Sequence, residues 1–186
     1  RHADLLDQLD RAGVRAVGYD VLFADRSPND PIGDATLEAM AKGGAGRFLF
    51  NSTRLHPDYD QGSPIRASQA PAAFALARDP QNDPRVALLL PYGEAMATFS
   101  ALANVTRNED GVLRDIPLRE TVGDWALPSL PLRLATTVAP GSPQYVAAAV
   151  RPNWRREARL PRISAADLLT GGRAVCRDAT SASPAW

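Results

Sequence analysis

Cysteine is almost absent from this sequence of 186 residues: Cys176 stands alone, so an internal disulfide and a cysteine-based metal site are both excluded. Histidine is nearly as scarce. His2 and His56 are the only two, too few to head the three or four convergent ligands of a zinc centre, and no metal is expected. An excess of charge is lacking too. The 21 Lys plus Arg balance 21 Asp plus Glu, which removes the electrostatic reason to expect nucleic acid or anionic lipid as a partner. Long apolar runs are missing: the longest, such as Val86 to Leu90 and Tyr145 to Val150, fall far short of the ~18 residues that cross a bilayer. No P-loop and no Gly-x-Ser-x-Gly elbow occurs. The glycines at 43, 44 and 46 follow a predicted helix and precede a predicted strand, the reverse of the order that presents a helix N-terminus to phosphate.

What is present is an ordinary folded composition, 45% hydrophobic and 23% charged. The length suits one domain over 1–170, with 171–186 expected to be a frayed or disordered tail because it carries no periodicity. Arg1 is neither Met nor part of a signal peptide, and a helix is already under way at Ala3. The sequence is therefore expected to be a piece of a longer chain.

Leu5, Leu6 and Leu9 mark one face of a first helix, stopped at Gly13. Residues 14–23 are nearly continuous in apolar character, as in a strand covered on both faces. After a turn at 29–33, Asp34 opens a second helix, and 47–50 is the next strand. The spacing further predicts a helix over 71–78, a strand over 85–90 and a helix over 93–102. A hairpin is predicted over 103–120, a helix from Pro128 or Ser129 to about Val138, a strand over 145–150 and a short helix over 163–169 capped by Ser164. This order gives an α/β fold: a mostly parallel central sheet with flanking helices, plus an antiparallel hairpin near 103–120.

Asp20 is the first candidate site residue, because a carboxylate in an apolar strand is costly unless paired or set at the strand end. A structural role, accepting hydrogen bonds near the sheet end, is favoured over a nucleophile. A haloacid-dehalogenase-type nucleophile would need a second Asp two residues on, where Leu22 stands. Asp25 is expected to line the same crevice at the carboxyl end of the sheet, where α/β folds bind ligands. Asp110 and Arg114 are candidate ionic partners there, although Asp110-Gly111 also reads as a plain turn.

Five segments in order carry a resemblance. They are Gly13 to Asp25, Gly33 to Leu37, Asn104 with Glu109 to Arg119, Leu127 to Ala135, and Ile163 to Leu169. Together they resemble the CHASE type-two domain, the cyclase- and histidine-kinase-associated extracellular sensory module of bacterial receptors. The resemblance implies a periplasmic or extracellular domain anchored before its first helix and followed by membrane helices. It further implies a cytoplasmic cyclase, kinase or diguanylate cyclase as output. It implies no ligand, no cofactor and no catalytic residue. The expected partners are a small-molecule or protein signal, the membrane through segments outside residues 1–186, and a second copy in a homodimer. The alternatives are a small hydrolase with a carboxylate nucleophile and a ligand-free scaffold.

Overall fold

The computed structural model describes residues 1–105, 110–141, 147–152 and 162–171. The first helix, α1 (His2–Arg11), buries Leu6 completely and ends at Gly13, whose φ of 75° is left-handed. Then come β1 (Val17–Tyr19), α2 (Pro31–Gly43) and β2 (Phe48–Arg54). Helix α2 starts three residues earlier than its apolar spacing predicts. Asp30 caps it by accepting the Gly33 amide at 2.9 Å, and Pro31 fits the first turn, where its missing N–H costs nothing. Strand β1 is shorter than residues 14–23 suggest. Past Tyr19 the chain leaves the sheet, and Phe23 stacks on the Tyr19 ring at 5.8 Å.

After two 3-10 turns, Pro57–Gly62 and Ala67–Gln69, come β3 (Phe74–Ala75), β4 (Leu88–Leu89), α3 (Glu94–Thr98) and β5 (Ser100–Leu102). The helix predicted over 71–78 is instead a turn with Ala72 at φ 55°, followed by β3. Pairing with a later strand overrides the local propensity there. The helix predicted over 93–102 stops at Thr98. The three buried residues of β5 take the open edge of β2 instead.

The rest comprises β6 (Ile116–Pro117), β7 (Arg119–Val122), β8 (Trp125–Pro128), α4 (Leu130–Val138), β9 (Ala149–Val150) and α5 (Ala165–Gly171). The antiparallel hairpin exists but lies over 119–128 rather than 103–120. Strands β7 and β8 pair through a two-residue turn, Gly123-Asp124, with Gly123 at φ 60°. Among the described residues nothing in 103–105 pairs with 112–120, and β6 pairs with β9 instead. The strand predicted over 145–150 is described only from 147, and the tail beyond Gly171 lies outside the described residues, as do Cys176 and the centre of the predicted 107–111 turn.

The chain is mixed α/β around a parallel centre, β1-β2-β5, in registers Val17↔Phe48 and Phe50↔Ser100. The second half of β2 pairs antiparallel with β4, and β3-β8-β7 forms a separate antiparallel sheet. Coverage on both faces, expected of 14–23, is found in β2 at Phe48-Leu49-Phe50, whereas in β1 only Tyr19 is buried. Phe48 and Phe50 enter a core with Leu6, Leu37, Ala41 and Met96 beneath α1, α2 and α3. Leu49 points the other way, to Ala101, Leu130 and Leu134 of β5 and α4. A third cluster, Ala67, Val86, Leu102 and Leu127, joins the parallel centre to the second sheet.

Candidate functional site

Where β1 and β5 end, α4 begins. Ser129 caps α4 by accepting the Leu132 amide, and its own amide bonds the Leu118 carbonyl at 2.8 Å. Helix α4 packs over Gly18, where an added Cβ would lie 3.4 Å from a Leu134 methyl, in ordinary contact. Leu134 and Leu130 thereby roof the carboxyl end of β1, the position at which α/β sheets receive ligands.

Two adjoining chambers open at this end. One, of 290 Å³, is mostly apolar, with Gly18, Val105, Ile116, Leu130 and Leu134 in its wall and Asp20 at its rim. The other, of 350 Å³, is lined by Leu102, Asn104, Pro117, Arg119, Glu120 and Ser129. Leu102, Asn104, Pro117 and Ser129 border both, so the two form one cleft with a polar and an apolar half. Each half alone sits near the lower end of the ~300–1,000 Å³ usual for small-molecule sites.

Asn104 is fixed rather than free. Its Oδ1 accepts the Arg54 amide at 2.7 Å, and its Nδ2 donates to the Arg54 carbonyl at 3.0 Å. Arg54 itself is 8% exposed. Its guanidinium donates to Asp60 Oδ2 at 2.6 Å, Glu120 Oε1 at 3.0 Å, and the Leu55 and Ala87 carbonyls at 2.8 and 3.1 Å. Burial raises the Asp60 carboxyl, but the Arg54 and Ala87 hydrogen bonds and the charges of Arg54 and His56 outweigh it and hold it below the ordinary value. One buried arginine thus ties the end of β2 to the 57–62 turn and to the strand that walls the polar chamber. Sequence reading missed Arg54, Arg119 and Glu120. Arg54 lies just past the strand predicted over 47–50, among polar residues where a charge draws no notice.

The four predicted site residues are not brought together. Asp20 is exposed at the apolar chamber's rim and accepts Asn51 Nδ2 at 2.9 Å, its one hydrogen bond among the described residues. The adjacent Asn51 Oδ1 is buried and makes no hydrogen bond among the described residues. Asp25 instead lines a separate cavity of 320 Å³ with His2, Phe23, Asp30, Asp34 and Tyr92. Asp30 there is spent on its cap, and Asp34 accepts the Ser27 amide at 2.6 Å. Burial, reinforced by Asp34, pushes the Tyr92 hydroxyl up to about 12. Asp110 and Arg114 pair with each other at 2.8 Å on the surface, and Asp110 also accepts the Val112 amide, as a turn aspartate does. The Arg114 hydrogen bond, with the Val112 amide, holds the Asp110 carboxyl below its ordinary value. Neither of the two lines the cleft.

Among the described residues no three His, Cys, Asp or Glu side chains gather as a metal ligand set, and no helix is long and apolar enough to cross a membrane. No curated protein and no solved structure matches the chain. The family model of the CHASE2 domain, by contrast, matches residues 1–182, essentially the whole chain. With that match and this α/β architecture, the chain belongs to the CHASE2 family, extracellular sensory domains of bacterial receptors.

Proposed function

We propose that this domain is the periplasmic input module of a transmembrane receptor, that it catalyses no reaction itself, and that the cleft beside α4 is where it receives its signal. The flanking membrane helices would pass the response to a cytoplasmic cyclase, kinase or diguanylate cyclase. One observation carries the reading: a chain matched over residues 1–182 by a sensory family holds a two-chambered cleft at the carboxyl ends of its parallel strands. Its walls come from β1, β5, β6, β7 and the start of α4, so an occupant would bear on all three sheets at once. A second observation supports a route outward. Helix α5, with Leu168 buried, packs against α1, so the first and last described helices lie side by side. A shift between them would be felt by whatever precedes and follows the domain.

Asp20 at the cleft rim is retained as a signal-binding candidate. Asp25 belongs to the second cavity, and the Asp110–Arg114 pair would act by ionic contact at the surface. The test is the output of the full-length receptor in its own membrane. Leu134→Trp, which fills the apolar chamber, should change the basal output or abolish its response. An unchanged response from a folded variant would refute the cleft as the input. A reporter fused at the domain's end that reads cytoplasmic placement would refute the periplasmic location.

A further inference from the structure

The side chains of the polar chamber are engaged within the protein. Glu120 is held by the Arg54 guanidinium at 3.0 Å, Arg119 has its own partner, and Asn104 gives both ends of its amide to the Arg54 backbone. Recognition therefore falls to the chamber under α4. Its wall is aliphatic, from Val105, Ile116, Leu130 and Leu134, and among the described residues Asp20 is the one ionisable side chain that lines it. Asp20 Oδ1 accepts Asn51 Nδ2; among the described residues the carboxylate meets no cation and makes no further hydrogen bond. Asn51 lies two positions beyond Leu49 on β2, so it faces the same side of the sheet, the side that α4 covers. Its buried Oδ1 also lacks a hydrogen bond among the described residues. A carboxylate and an amide oxygen, both acceptors, thus stand beside an apolar space.

Resting on the reading of this cleft as the receiving site, we propose that the apolar chamber binds a small hydrophobic primary amine, an ammonium head on one short aryl or alkyl body. An ammonium carries three donors and no acceptor, which matches a site of acceptors. It donates to Asp20 and, through a second N–H, toward Asn51 Oδ1. The body lies among Val105, Ile116, Leu130 and Leu134, and its burial supplies most of the affinity. The space suits it: a dry apolar cavity of about 150 Å³ takes up benzene, and this chamber measures 290 Å³. Charge selects the head group. The N-terminus of α4 also borders the chamber and by itself favours an anion. It amounts to about half a charge, and Ser129 already accepts its Leu132 amide. The full charge of Asp20 outweighs it. A carboxylate ligand would set like charges together at Asp20, and an alcohol would leave that charge without a counter-ion.

The test uses this 186-residue chain, with phenethylamine and hexylamine as probes and thermal shift plus calorimetric titration as readouts. One or both should raise the melting temperature by mass action. Hydrocinnamate and phenethyl alcohol keep the aryl body and replace the head. Asp20 is exposed and water screens its charge, so each should bind about three- to fivefold more weakly than phenethylamine. Ethylamine keeps the head and lacks the body, and should bind at least about tenfold more weakly. Asp20→Asn should weaken phenethylamine by about three- to fivefold and leave phenethyl alcohol unchanged, which separates loss of charge from loss of shape or folding. The proposal fails where neither amine shifts the melting temperature, or where hydrocinnamate or phenethyl alcohol binds as well as phenethylamine. It fails too where Asp20→Asn weakens the alcohol as much as the amine. If it fails while Leu134→Trp still alters the receptor's output, the ligand class is wrong and the input reading stands. If that output is also unaltered, both fall.

Discussion

Replacing Arg54 with methionine should be among the most damaging polar substitutions available in this domain. Methionine keeps much of the stem and removes the charge and every donor. Two carboxylates then lose their counter-ion, and the Leu55 and Ala87 carbonyls lose their bonds at 2.8 and 3.1 Å. Breaking a buried ion pair by removing one partner costs about 3–5 kcal/mol. Asp60 and Glu120 keep 23% and 38% of their side-chain surfaces in water and can partly rehydrate. That places the cost at the lower end, about 3 kcal/mol. For a chain of this length each kcal/mol lowers the melting temperature by about 2–4 °C, so circular dichroism near neutral pH should show a fall of about 6–12 °C.

The pH dependence follows from the direction of the Asp60 shift. Its folded carboxyl titrates below the ordinary value, so its contribution is complete above that ordinary value. It is lost as pH falls through the lowered folded value. The gap between wild type and Arg54→Met should therefore narrow from neutral pH to about pH 3. A double-mutant cycle with Asp60→Asn should show an interaction of about 1 kcal/mol or more. A fall of less than about 2 °C, or a gap that does not change with pH, would refute the reasoning.

Three further outcomes follow from single contacts. Gly123→Ala places a Cβ at φ 60° within 2.6 Å of the Asn82 carbonyl oxygen and 2.5 Å of Pro84, and should cost about 2 kcal/mol or more by urea denaturation. Asp20→Ala removes one exposed hydrogen bond, so it should shift stability by less than about 1 kcal/mol; a large loss of folding would show that the residue is structural and not part of the cleft's recognition. Leu168→Ala empties the buried contact of α5 and should cost about 2 kcal/mol, with hydrogen exchange quickening in 165–171 and not in β2; uniform exchange would mean α5 does not open on its own.

Much of this architecture was legible locally. The Leu5, Leu6, Leu9 face, the apolar run at 48–50, the Ser129 cap and the Ser164 cap are patterns that a few neighbouring residues write by themselves. The elements read wrongly are those whose identity depends on a distant partner. Residues 100–102 continue a helical pattern on paper, yet they pair with β2, fifty residues back along the chain. Phe74-Ala75 is a strand only because β8 lies beside it. The hairpin was placed one turn too early because Asp110-Gly111 and Gly123-Asp124 are both good turn dipeptides. Only the second is flanked by strands that pair with each other, Val122 opposite Trp125.

The same division runs through the candidate site. Asp20 could be singled out because a carboxylate after an apolar strand is anomalous in one dimension. Arg54, Asn104, Arg119 and Glu120 could not, because each is ordinary in its own segment and becomes notable only where three strands meet. The sequence by itself determined the class of fold, the caps at Ser129 and Ser164, and the family. Tertiary structure alone decided which two carboxylates the buried arginine keeps, that Asp20 and Asp25 face different cavities, and that a polar and an apolar chamber share a wall. Short-range periodicity is encoded residue by residue. Cavities and charge pairs arise from contacts between segments tens of residues apart, which no local pattern records.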